Sequence, residues 1–370
     1  MPKSIKSLCL FSVFLALSFN QTSIAQKFDS EVTVKVKANN RTYVGTPLLW
    51  ENDRMKLLRR DGRLSTIPVE SEDDYKVIAQ YFSVMSPEDM ISKLKREFGK
   101  RYSVSSTPSF VVVHPHGNYK KYVKPFEDLN RRFETYFFKR GHHLEEARFP
   151  MVAIVLNTKD EYKRMVTNHH PNMIDSVGYY SLNSNRIITY DRTREESESF
   201  FQNNTLIHEA THQTAYNRGI HNRFANRSSW VVEGLANMFE AEGVYDSDIN
   251  TKREDRVNRG ELYWLQRAIK DGTAKGTLEK IVRSDDLFRS NTHLAYQYAW
   301  GLTFYLAETK SRAYIKFLAD DAQRPNYSAY GSKERVERFA EAFGSDFANF
   351  EARMFKFLMK QKVKLPPGYR

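Results

Sequence analysis

Thr205-Leu206-Ile207-His208-Glu209-Ala210-Thr211-His212 lies in a segment of helical periodicity with no Pro or Gly before Gly219. On a helix, residues four apart are turned by only about 40° and rise by about 6 Å, so His208 and His212 project from one face. Two imidazoles placed in this way can share one ion. Zinc takes nitrogen ligands at about 2.0–2.1 Å and keeps one position open in catalytic sites. Glu209, beside His208, reaches next to such an ion rather than onto it, where its carboxylate can accept a proton from water.

Downstream, Ser228-Ser229-Trp230-Val231-Val232-Glu233-Gly234-Leu235-Ala236-Asn237-Met238-Phe239-Glu240 reads as a second helix with Ser229 as its N-cap. The intervening loop 217–228 carries Asn217, Gly219 and Asn226, which can turn the chain back on itself. A Trp-x-x-Glu-Gly-x-Ala run about twenty residues after His-Glu-x-x-His resembles the gluzincin pattern of thermolysin-like and membrane-alanyl-aminopeptidase-like enzymes, the peptidase MA-like group. The likeness is specific over about residues 205–242 and looser over residues 84–365. It implies that Glu233 is the third zinc ligand, beside His208 and His212, with Glu209 as general base.

Glu240 lies two turns further along, about 10 Å by helical rise, so it and Glu233 cannot both ligate one zinc. Asn237 falls where related enzymes often place an acidic residue behind a zinc histidine, and an uncharged group there implies a less basic ligand. His293-Leu294-Ala295-Tyr296-Gln297-Tyr298-Ala299-Trp300 is similar to the helix that supplies a Tyr or His to the developing oxyanion, and Tyr296 is the first choice. Aromatic residues at that spacing equally describe a core. The Gly-x-Met-Glu-Asn element by which the aminopeptidase branch anchors a substrate amine is absent.

Upstream of the motif, Gly178–Ser181 and Ile187–Tyr190 read as a hairpin around Asn183-Ser184-Asn185, in the place of the group's active-site edge strand, to which an extended peptide can add. Met151 to Leu156 reads as a buried strand, and Asp160 to Val166 as a helix. Phe110 to Val113 and Tyr119 to Val123 suggest another hairpin around His116-Gly117-Asn118. Helices are expected near 87–98, 129–137, 197–217, 229–242, 259–271, 293–309, 331–343 and 346–361. Strands first and helices after make the fold α+β, with a sheet lobe and a mainly helical C-terminal lobe.

In front of these, residues 31–70 alternate as short strands with turns at Asn39-Asn40 and Asp61-Gly62, a pattern similar to a small five-stranded SH3-like barrel. The expected division is therefore a leader over 1–25, an SH3-like barrel over 27–82 and a peptidase-like domain over 84–368.

Of the 370 residues 41% are hydrophobic and 14% aromatic, enough for a sizeable core. Lys3 and Lys6 before the apolar run Leu8–Phe19, then Ser23-Ile24-Ala25, read as an export signal, and no later stretch is long enough to span a membrane. The expected location is periplasmic or secreted. The single cysteine, Cys9, falls inside that leader, which excludes disulfides and thiolate metal sites from the remainder.

Loss of the leader lowers the net charge from +12 by its two lysines to +10. For an exported chain this favours acidic proteins or anionic cell-envelope polymers over nucleic acid. The functional expectation is a Zn2+-dependent peptidase acting on peptides or proteins, with water activated at the metal. The alternatives are an inactive peptidase-like scaffold of the cell envelope, suggested by Asn237, and an adhesive protein that uses its basic surface.

Overall fold

The computed structural model describes residues 26–27, 31–69, 74–117, 119–167, 173–192, 204–245 and 252–362. The leader and the start of the helix expected from residue 197 lie outside the described residues. The chain is a mixed α+β structure, with an N-terminal antiparallel sheet and a mostly helical C-terminal part.

The first sheet contains β1 (Gln26–Lys27), β2 (Thr33–Ala38), β3 (Arg41–Glu51), β4 (Arg54–Arg59), β5 (Leu64–Pro68) and β6 (Tyr75–Ala79). Asn39 and Asn40 have φ of 50° and 57°, as a two-residue hairpin turn demands at its central positions. Val34, Val36, Met55, Leu57 and Ile67 form its core. The strand order is β5-β4-β3-β2-β6, with β1 paired to β3. The expected closed barrel is therefore corrected: among the described residues β5 and β6 are open ends. The outer edge of β5 is used elsewhere, because the Leu64 N–H donates to the Asn183 carbonyl at 2.7 Å.

The second sheet holds β7 (Ser103–Ser106), β8 (Phe110–His114), β9 (Met151–Leu156), β10 (Gly178–Ser181) and β11 (Arg186–Tyr190), in the order β10-β11-β9-β8-β7. Every residue of β9 is buried, as a strand covered on both faces requires. Phe110, Val112, Met151 and Ala153 pack under α2 (Tyr119–Phe138) and α4 (Asn204–Asn217). Val111, Val113, Val152 and Ile154 face α1 (Pro87–Phe98) and α3 (Lys159–Thr167). Ser86 caps α1 by accepting the Asp89 N–H at 3.1 Å.

The hairpin expected across 110–123 is corrected. β8 pairs backwards with β7, and Tyr119–Val123 is the first turn of α2. Tyr122, Val123, Phe126, Leu129 and Phe133 make one buried stripe of that helix, which tolerates Pro125 in its interior.

A chain of charges joins the two sheets. Buried Asp61 pairs with Lys93 and, at 3.3 Å, with Arg63; Arg63 reaches Glu97 at 2.7 Å, and Glu97 grips Arg186 of β11 at 2.7 and 3.0 Å.

The helical part comprises α5 (Ser229–Phe239), α6 (Glu242–Tyr245), α7 (Arg259–Lys270), α8 (Thr277–Arg283), α9 (Asp286–Ser290), α10 (Thr292–Thr309), α11 (Ser311–Ala322), α12 (Ser332–Phe343) and α13 (Phe347–Met359). Of these, α8, α9 and α11 are not among the helices expected from periodicity. The N-cap of α5 is Ser228 rather than Ser229 and makes no side-chain cap bond. Asp285 caps the helix instead, accepting the Ser229 N–H at 2.7 Å while Arg335 holds its other oxygen at 2.9 Å.

Trp230 stacks on Phe317 at 5.7 Å and meets Phe339 edge-on at 6.1 Å, which fixes the rotation of α5. A Cβ at Gly234 would lie 2.2 Å from Thr303 Oγ1 and 2.5 Å from the Ala299 carbonyl oxygen of α10. Only a glycine admits so close a crossing. Gly234→Ala is expected to destabilise the protein by about 1–3 kcal/mol through overpacking. A melting temperature equal to that of the wild type would show that α5 and α10 do not depend on this contact.

Candidate metal centre

α4 is buried on nearly all sides. Leu206, Ile207 and Ala210 point into the sheet-side core, and Gln213 Nε2 donates to the carbonyls of Val152 and Asn185 at 3.0 Å each. With that face anchored, the face bearing His208 and His212 must meet α5. Trp230 and Gly234 in turn orient α5 so that Glu233 faces back.

The result is a tight triangle. His208 Nε2 lies 3.0 Å from His212 Nε2 and 3.1 Å from Glu233 Oε2, and His212 Nε2 is 3.4 Å from the same oxygen. The two rings stand at 87° to each other. Two imidazole lone pairs cannot face each other at such a distance without a proton or a cation between them. Tetrahedral bonds of about 2.0–2.1 Å place ligand atoms about 3.3–3.4 Å apart, so the spacing and the donor chemistry both fit zinc. The triad can hold a metal.

The opposite nitrogen of His208 is fixed by an acid. Nδ1 lies 2.8 Å from Glu240 Oε1, and Glu240 Oε2 accepts from Asn258 Nδ2 at 2.9 Å. With the proton on Nδ1 donated to Glu240, Nε2 offers its lone pair to the centre, the arrangement by which outer carboxylates orient metal-binding histidines. The expectation that position 237 would be the supporting one is corrected. Asn237 Nδ2 donates to the Tyr296 carbonyl at 3.4 Å and makes no bond to either histidine among the described residues. The heptad spacing of Glu233 and Glu240 was the available signal: two turns of α5 straddle one ring.

Glu209 lies beside the triangle and accepts the Tyr180 N–H at 2.7 Å. β10 is an edge strand as expected, although one of its backbone donors is thus committed to Glu209. Tyr296 is drawn into the same cluster, stacked near His208 with ring centroids 6.4 Å apart, and the charge of Glu233 reaches its hydroxyl.

The electrostatics are those of buried acids crowded about two histidines. Burial disfavours the imidazolium of His208, but hydrogen bonds to Glu233 and Glu240 outweigh it and raise its pKa well above the usual value. Burial would likewise raise Glu233, yet His212 and then His208 hold it far below the carboxylate range. Glu209 is raised, chiefly by burial, as suits a group that must accept a proton. Burial and then the charges of Glu233 and Glu209 keep the Tyr296 proton in place. Glu261, at the start of α7, is pushed up to about 7 by burial and by Glu240.

If Glu240 orients the ligand, Glu240→Gln should weaken zinc affinity about 10–100-fold, and Asn237→Ala much less. Competition with a chromophoric chelator would measure both. Equal losses would remove Glu240 from this role.

A family model described as "Protein of unknown function (DUF1570)" matches residues 202–327, the span that contains α4, α5 and α10. No curated protein matches the chain.

Proposed function

We propose that the chain is a zinc-dependent peptidase of the gluzincin type, held by His208, His212 and Glu233 and served by Glu209 as general base. The observation that carries the reading is the convergence of two imidazole nitrogens and one carboxylate oxygen within 3.4 Å, with a second acid of raised pKa at its side. Zinc bound there would supply Lewis acidity, polarising a peptide carbonyl and lowering the pKa of water.

The protein's own groups account for the remaining steps. Glu209, held by the Tyr180 N–H, takes the proton of the attacking water and delivers it to the leaving amine. Tyr296, which retains its proton, can turn from Glu233 towards the oxygen on which negative charge develops. The outer edge of β10, where Glu209 already takes the Tyr180 N–H, can align an extended peptide across the centre. Asn237, the feature that favoured an inactive scaffold, loses its force because Glu240 provides the acid behind His208.

Export and a periplasmic or secreted setting belong to the same proposal. Among the described residues no helix is long and apolar enough to cross a membrane.

Glu209→Gln should retain zinc while cleaving peptides about 10²–10⁴-fold more slowly, and His208→Ala should lose the metal. Metal analysis and cleavage of a mixed peptide library read the two. Zinc bound by the wild type with cleavage no faster than in Glu209→Gln would favour the scaffold reading instead.

A further inference from the structure

Beyond the metal, α4 continues the same face. Tyr216 stands one turn past His212, a rise of about 6 Å, and its ring is stacked on Tyr180 with centroids 5.8 Å apart. Arg227, from the loop that leads into α5, lies against that ring with its guanidinium carbon 4.9 Å from the centroid. Arg227 is half-buried. Among the described residues its guanidinium makes a single, long hydrogen bond, 3.4 Å from Nη1 to the Ala225 carbonyl, while its own carbonyl accepts from Arg335 Nη2 at 3.3 Å.

The acids whose charge reaches Tyr216 are Glu233 and Asp321. Glu233 is committed to the histidines, and Asp321 is buried in the field of Arg338, Arg324 and Arg335 with its Oδ1 lacking a hydrogen-bond partner among the described residues. Arg227 is thus a cation without a carboxylate partner among the described residues, next to a cavity lined by both arginines and acids. Tyr216 Oη and His221 Nε2 are buried without hydrogen-bond partners among the described residues. Both residues line that cavity of about 290 Å³, beside Arg227 rather than around it, whose polar lining includes Arg148 and Arg223 as well as Glu145 and Glu146.

We propose that Arg227 and Tyr216, with this adjoining cavity, form a subsite for a carboxylate of the substrate, carried by an acidic side chain or by the peptide's own C terminus. An extended chain advances about 3.3 Å per residue, so the carboxylate belongs about two residues from the bond that is cut. Arg is suited to the task, since its planar fork pairs with a carboxylate through two hydrogen bonds. The assignment rests on the peptidase reading above and names its substrate class.

The test uses the full-length, zinc-loaded protein and three matched peptides: Glu with an amidated end, Gln with a free end, and Gln with an amidated end. Cleavage profiling of a mixed library sets the position first. Wild type should prefer one of the two charged peptides over the neutral one by about tenfold or more in kcat/KM, and the preferred peptide identifies the source of the carboxylate. Arg227→Gln should abolish that ratio, and Arg227→Glu should invert it towards a Lys peptide. A merely structural residue would not produce such an inversion.

Equal cleavage of all three peptides by the wild type, or a preference that survives in Arg227→Gln, overturns the subsite while leaving the peptidase reading intact. If no peptide is cut, that reading fails separately, and fluorescence anisotropy of the same peptides on the Glu209→Gln protein decides the subsite. Tighter binding of a charged peptide that is lost in the Glu209→Gln, Arg227→Gln double variant upholds it; equal or absent binding overturns it.

Discussion

One imidazole gripped on both nitrogens sets the geometry of the helical lobe. Glu233 meets His208 at Nε2 and Glu240 meets it at Nδ1, so the two turns of α5 between these acids must cross α4 at one angle and one depth. That depth requires a helix close behind α5, and α10 can approach only because residue 234 lacks a side chain. The glycine that follows the ligand in the motif is therefore a packing requirement that places the ligand.

The centre is paradoxical in charge. The chain carries a net +12, yet Glu209, Glu233, Glu240 and Glu261 gather around two histidines. Burying so many acids is costly unless protons or a cation compensate them. Burial and the neighbouring Glu240 push Glu261 up to about 7, and burial raises Glu209, the direction such crowding demands. A divalent ion compensates them better, because it acts on both imidazoles and Glu233 together.

The parts legible in the sequence were those with a strict local period. His208 and His212, four apart, had to share a face, and the strand–helix order fixed an α+β chain. Met151–Leu156 stood out as a buried strand, and Asn39-Asn40 as a turn. What escaped depended on distant partners. Glu240 was weighed as a rival ligand, since nothing local reveals that Asn258 holds it behind the ring. Ser229 looked like a cap until Asp285, more than fifty residues away in sequence, took the role. Tyr119–Val123 reads as a strand because His116-Gly117-Asn118 has turn chemistry, whereas Tyr122 and Val123 begin the buried stripe that Phe126 and Leu129 continue. The outer edge of β5 likewise meets a distant partner, through the bond from Leu64 to Asn183.

That bond has a mechanical side. The tip of the β10–β11 hairpin is bolted from several directions: Leu64 holds the Asn183 carbonyl, Arg223 holds those of Leu182 and Asn183 at 2.7 and 3.3 Å, and Gln213 holds that of Asn185. A ribbon clamped at its tip and paired along one side cannot swing like a flap. Tyr180, midway along it, therefore offers Glu209 a stationary donor, and any widening of the groove has to come from the opposite, helical bank.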